Sequence, residues 1–288
     1  MLSRRSTLAI STTMDSASFL HDVTLVTIAQ NVPGPLAVAR LQQAGARVTK
    51  IEPPTGDRLQ MIAPAWYAEL HAGVLVERLD LKSEAAQRRL TTLLEMADVL
   101  LTSQRPSQLS RLQLDLDTLR RRFPRLRVLR IVGSVREPER AGHDLTYQAQ
   151  VGLLGDAMPR TLMADVIASE RAFAGVLTLL RQPAGSTLDV GLVESLEPLV
   201  APLRHGLTAP NGPLGGGAPQ YRVYRAKEGR VAVAALESHF EERLYMTLGL
   251  SPGSDLSGRM IERTAVEWER WALDHDLPLV AVTERSKT

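Results

Sequence analysis

The sequence predicts an α/β fold: a parallel sheet with helices packed against it, followed by a smaller α+β region. Two observations lead there. Short apolar, β-branched runs alternate with amphipathic helical patterns over the first 205 residues, the signature of successive βαβ units. Beyond a loop dense in Gly and Pro, two strand-like runs separated by Lys227-Glu-Gly229 read instead as a hairpin.

Val23–Ala29 is apolar and β-branched throughout, as a strand buried on both faces should be. Asn31-Val-Pro-Gly-Pro35 interrupts it, and Leu36–Ala44 carries a helical apolar face that ends at Gly45. Ala46–Glu52 is a second strand, stopped by Pro53-Pro54. The pattern then repeats: a helix over Ser83–Met96, a strand over Asp98–Thr102, a short helix over Asp115–Arg122 and a strand over Arg127–Gly133. Ala164–Leu180, Thr187–Val193 and Glu194–His205 continue as helix, strand and helix. Tyr221–Ala226 and Arg230–Ala235 form the hairpin, with helices over about 239–248 and 264–274. The expected organisation is a tail over 1–22, a larger domain over 23–205 and a smaller one over 206–288. Ser, Thr and two Arg residues dominate the tail, and translation from Met14 is the alternative start.

Composition excludes several functions. At 44% hydrophobic and 23% charged, the 288 residues have the balance of a globular chain. With no cysteine there are no disulfides, thiolate nucleophiles or Cys-ligated metals, which fits a cytoplasmic protein. The net charge is only +2, and the Arg-rich stretch 120–130 reads as a helix end and a strand rather than a nucleic-acid surface. No apolar run is long enough to cross a membrane. The first strand is not followed by GxGxxG, and there is no P-loop lysine signature, which argues against a conventional dehydrogenase or P-loop NTPase.

Four segments, "VPGPLAVARLQQAGARVTKIEPPTGD" (32–57), "LDLKSEAAQRRL" (79–90), "ADVLLTSQRPSQLSRLQLD" (97–115) and "AGHDLTYQAQVGLLG" (141–155), together resemble the family III CoA-transferases. Two later ones, "GGGAPQYRVYRAKEGRVAVAALESHFEERL" (215–244) and "AVEWERWALDHDLPLVAV" (265–282), are most similar to the α-methylacyl-CoA racemase branch and to the family's C-terminal region. The resemblance implies a Rossmann-like larger domain and an interlocked homodimer with the active site at its interface. It also implies an acyl-CoA substrate, so that coenzyme A comes and goes with the substrate, and no tightly bound cofactor or metal.

By the same resemblance, His143 matches the racemase histidine, Asp165 the second acid/base residue, and Glu237 a supporting glutamate contributed by the partner chain. Asp144 matches the carboxylate that, in a transferase, attacks the thioester to give an acyl anhydride. Inverting the carbon beside a thioester needs a base on one face and an acid on the other, because a single base exchanges the proton with retention. On residue type alone other roles stay open. His143 suits a loop, Asp144 and Asp165 suit helix starts, and Glu237 suits a solvated strand end. Gly215, Gly216 and Gly217 read either as a linker or as the family's glycine loop, where backbone approaches a ligand closely.

The chain also departs from the family. A basic Arg-Gly-Lys element is replaced by His71-Ala-Gly-Val-Leu-Val-Glu-Arg78, leaving Lys50, Arg58, Arg78 and Arg105 as the candidate nucleotide and phosphate contacts. Val166-Ile-Ala-Ser-Glu170 stands where glycines often follow the residue matching Asp165, and the link between Gly155 and Met163 is contracted. Three readings result: an α-methylacyl-CoA racemase, a CoA-transferase acting through Asp144, and a CoA-binding paralogue without turnover.

Overall fold

The computed structural model describes residues 19–283. Most of the expected tail, Met14 included, lies outside the described residues. Leu20, placed in that tail by the sequence, is already buried, and its N–H donates to the Ala44 carbonyl.

The chain divides into two compact units, the first ending at Pro198 and the second beginning at Leu199. In the first, the order is β1 (Thr24–Thr27), α1 (Pro33–Gln43), β2 (Arg47–Glu52), α2 (Arg58–Ile62), α3 (Pro64–Leu70) and β3 (Leu75–Arg78). Then come α4 (Glu84–Glu95), β4 (Val99–Thr102), α5 (Pro106–Arg111), α6 (Leu116–Arg122) and β5 (Arg127–Val132). α7 (Asp144–Gln150), α8 (Met163–Arg181) and β6 (Thr187–Gly191) complete it, and α9 (Leu192–Arg204) runs on into the second unit.

The six strands form one parallel sheet in the order β3-β2-β1-β4-β5-β6. Strand neighbours alternate between two cores, as the period of two requires. Leu25, Val99 and Leu101 pack with α1 and α8 residues such as Val38 and Ala168. Val26, Leu100 and Val128 pack with Leu90 and Leu94 of α4 and Leu119 of α6. With helices on both faces, the strands become the continuous apolar runs visible in the sequence.

α1 starts three residues earlier than the sequence suggests, because Pro33 and Pro35 sit in its first turn, where a missing N–H breaks no helical bond. Gly34 lets this turn press against the chain just after β1, since a Cβ there would lie 2.3 Å from that of Ala29. Gly34→Ala is therefore expected to push α1 off the sheet at a cost of about 1–3 kcal/mol. The readout is a lower urea midpoint, and an unchanged one would show that the turn yields without strain.

In the second unit, β7 (Tyr221–Arg225), β8 (Arg230–Ala234) and β9 (Leu279–Ala281) form an antiparallel sheet. Helices α10 (Ser238–Leu248), α11 (Ser257–Met260) and α12 (Ala265–Asp274) contribute Leu244, Met260 and Trp268 to its core. Among the described residues no helix is long and apolar enough to cross a membrane.

Candidate active site

In an open parallel sheet, ligands bind beyond the carboxyl ends of the strands where the strand order reverses. Here that point falls between β1 and β4, whose following loops, Gln30-Asn31 and Ser103–Arg105, diverge. A first cleft of about 440 Å³ extends from these loops over β5 to α7 and α8. A second, of about 480 Å³, extends over β1 and β2. Gln30, Asn31, Ser103, Gln104 and Gln108 line both, so the two clefts adjoin.

His143 and Asp165 both line the first cleft. The loop holds His143 by its backbone: its N–H donates to Thr146 Oγ1 at 2.9 Å, and the Thr146 hydroxyl donates to its carbonyl at 2.8 Å. The imidazole itself is exposed. Asp165 lies in the first turn of α8, partly buried. Burial, and then the neighbouring Asp144 charge, push its carboxyl up to about 7. The helix N-terminus favours an anion there, but desolvation outweighs it.

Asp144 is 5% exposed. Its Oδ2 accepts from Gln148 Nε2 at 2.5 Å and its Oδ1 from the backbone N–H of Asp165 at 3.1 Å. The expected N-cap role is thus corrected: Asp144 is the first residue of α7, and the N–H it satisfies belongs to α8. Asp144 lines the first cleft together with His143 and Asp165, with both of its carboxylate oxygens accepting hydrogen bonds. Tyr147, which the sequence reading left without a role, packs into the same wall. A Cβ at Gly133 or Gly142 would lie 2.5 or 2.4 Å from its side chain, so both glycines make room for the ring. Burial, then Asp165, raise its hydroxyl, against the pull of Arg105.

The profile of CoA-transferase family III matches residues 20–282. The chain belongs to CoA-transferase family III. Among its relatives is an α-methylacyl-CoA racemase of Homo sapiens, 32% identical over 255 residues, which are 80% of this chain and 65% of that protein's length. A cinnamoyl-CoA:phenyllactate CoA-transferase of Clostridium sporogenes is 31% identical over 130 residues, 41% of this chain and 32% of that protein. The fold matches the crystal structure of a hypothetical protein from Mycobacterium tuberculosis with a TM-score of 0.79 and 22% identity, covering 93% of this chain and 86% of that one.

This family III chain treats its candidate cations unequally. Arg105 is exposed in the first cleft. Lys50 is fully buried, and its Nζ is spent on Asp57 Oδ2 (2.6 Å), Glu52 Oε1 (3.0 Å) and His71 Nε2 (2.9 Å). With all three donors used, it has none left for a phosphate, which corrects the expectation from sequence. Because the lysine only donates, His71 Nε2 accepts, and Nδ1–H donates to the Tyr67 carbonyl at 2.6 Å. Burial, more than any neighbour, lowers the proton affinity of this imidazole. Arg78 donates to Gln60 Oε1 at 2.7 Å, and Arg58 is exposed at the start of α2; neither lines the two clefts.

The lining cations that sequence reasoning missed are Lys82 and Arg111 in the second cleft and Arg140 in the first. Their signal was available, since Lys82 closes the turn after β3 and Arg111 ends α5. Glu237 and the glycines belong to the second unit. Glu237 is exposed, immediately before α10. Gly216 has φ 90°, and its carbonyl accepts from Arg222 Nε at 2.8 Å. A Cβ on Gly215 would lie 1.8 Å from the Ala209 carbonyl oxygen, and one on Gly217 2.1 Å from that of Asn211. These glycines make room for their own backbone in a folded turn. Among the described residues no group of three or more His, Asp or Glu side chains is arranged to hold a metal ion.

Proposed function

We propose that this family III protein transfers a proton at C2 of a 2-methyl-branched acyl-CoA, as an α-methylacyl-CoA racemase does, with His143 and Asp165 as the acid/base pair. The observation that carries the reading is an exposed imidazole and a carboxyl of pKa about 7 lining one cleft. At neutral pH the Asp165 carboxyl both gives and takes a proton with little driving force wasted, the condition for efficient general acid–base catalysis. One removes the C2 proton, the thioester carbonyl takes up the electron pair as an enolate, and the other returns a proton to the opposite face.

In this reading CoA arrives with the substrate. Its nucleotide lies in the second cleft, with the base against apolar side chains such as Ile28, Ile51 and Leu81 and the phosphates near Lys82 and Arg111. The homodimer, with Glu237 contributed by the partner subunit, is carried over from the family resemblance. A second reading, CoA transfer between carboxylic acids, is supported by the similarity to the Clostridium enzyme. Hydroxylamine trapping of an acyl-enzyme, with mass spectrometry to locate it, separates the two.

The test is proton NMR of a 2-methylacyl-CoA incubated with the protein in D2O. The α-proton signal is expected to vanish as solvent deuterium replaces it, and His143→Ala is expected to slow inversion at C2, followed by optical rotation of a single epimer, by about 10²–10⁴-fold. Bound thioester without exchange would sink the reading and leave the transferase or a CoA-binding protein without turnover.

A further inference from the structure

Gln148 lies one turn after Asp144 on α7 and is completely buried. An amide in such a position needs partners, yet Gln148 is only half satisfied. Its Nε2 donates to Asp144 at 2.5 Å and lies 3.5 Å from the Thr161 carbonyl, whereas its Oε1 has no hydrogen-bond partner. A leucine or methionine would fill the same volume without stranding a polar atom. What the amide supplies is a donor aimed at one oxygen of Asp144, whose other oxygen holds the first-turn N–H of Asp165.

We propose that Asp144 and Gln148 are positioning residues that keep Asp165 as the proton-carrying member of the acid/base pair. Gln148 fixes the Asp144 carboxylate, and that carboxylate pins the Asp165 backbone and stands as a negative charge beside its side chain. The inference rests on the reading of Asp165 as an acid/base residue.

The other charges around Asp165 do not substitute for this one. It is faced by His143, immediately before α7, by Tyr147 of α7, and from the loop after β4 by Arg105. Arg140 also lines the cleft. His143, Arg105 and Arg140 are exposed, so solvent screens them. Arg40 of α1, the helix packed along α8, is paired with Glu170 at 2.5 Å. Arg130 and Asp189, on the adjacent strands β5 and β6, neutralise each other at 2.5 Å. Asp144 alone combines enclosure with direct contact to residue 165. A negative charge so placed disfavours ionisation of the Asp165 carboxyl.

The experiment is a carbon-13 NMR titration of protein labelled at the aspartate carboxyls, without substrate, with Asp165→Asn and Asp144→Asn assigning the signals. In the unaltered protein Asp165 is expected to hold its proton to near neutrality. In Asp144→Asn its midpoint is expected to fall by at least one pH unit, a tenfold weaker grip. The substitution suits the site, because the introduced amide's Oδ1 still accepts from the Asp165 N–H and a rotated Gln148 amide offers its free Oε1 to the new NH2. Gln148→Met, which strips Asp144 of its donor, is expected to lower the Asp165 midpoint.

An unchanged Asp165 midpoint in either variant overturns the proposal. So does an ordinary carboxylate titration of Asp165 in the unaltered protein, a result available even if neither variant folds, and so does an acyl adduct trapped on Asp144. A coupled titration in a protein that exchanges no α-proton defeats the functional reading while leaving the pair intact.

Discussion

Lys50→Met is expected to destabilise the larger unit by about 3–5 kcal/mol, the usual consequence of removing one partner from a buried ion cluster. Lys50 and Glu52 lie two apart on β2 and therefore on the same face. Asp57 joins them after the turn that follows. Glu52 also accepts from the Tyr67 hydroxyl at 2.8 Å, and Asp57 from the backbone N–H groups of Leu59 and Asn31. Without the ammonium, two fully buried carboxylates remain with only neutral donors and the half-exposed Arg78 4.0 Å away.

The loss is expected to reach the cleft. Asn31, held in the left-handed region at φ 67° with its N–H on Asp57, lines both clefts. Amide hydrogen exchange in β1 and β2 reads the larger unit by itself, and about 10²–10⁴-fold faster exchange is expected. Arg88→Met, which breaks only the exposed i,i+4 pair with Glu84, is the control and should change stability by no more than about 0.5 kcal/mol. Equal effects from the two substitutions would mean that the cluster is not the anchor described.

Asp165→Asn is expected to abolish most inversion at C2, by about 10²–10⁴-fold, and at the same time to stabilise the protein above neutral pH. The sign follows from linkage. The unfolded chain releases this proton near the ordinary aspartate value of 3.8, whereas the folded protein holds it to about 7. Between those values the folded state binds more protons, so its stability falls as pH rises and the full penalty is present above pH 7. The penalty amounts to at most about 4 kcal/mol. Asparagine, neutral throughout, avoids it. Melting temperatures should agree near pH 4 and diverge at pH 8 with the variant higher. The same increment at both values would show that the carboxyl is not raised by its surroundings. A residue that costs stability where its chemistry is wanted is typical of an active site.

The chain spans 65% of the length of the human racemase it resembles, yet its described residues contain a complete six-stranded sheet with the strand reversal that opens a cleft. The replacement of glycines after Asp165 also has a structural outcome: Val166 packs with Val32, Leu36 and Leu70. Arg40 ties Glu170 of the same segment to α1.

By itself the sequence determined the parallel α/β architecture, because a strand covered on both faces must be an apolar run and a covering helix must be amphipathic. It also marked His143 and Asp165 as candidates through the segments that carry them. It did not reveal α2, α3, α5 or β3, which are short, partly exposed and weakly periodic. Only the tertiary structure decided what surrounds each charge. Lys50 resembled a free cation until α2 and α3 folded back and brought Asp57 and His71 onto it. Asp144 resembled a helix cap until α8 brought the Asp165 N–H to one of its oxygens while Gln148 held the other. Residue type fixes which protons a side chain can exchange, but burial and the partners that arrive from distant sequence set its proton affinity and its access to substrate.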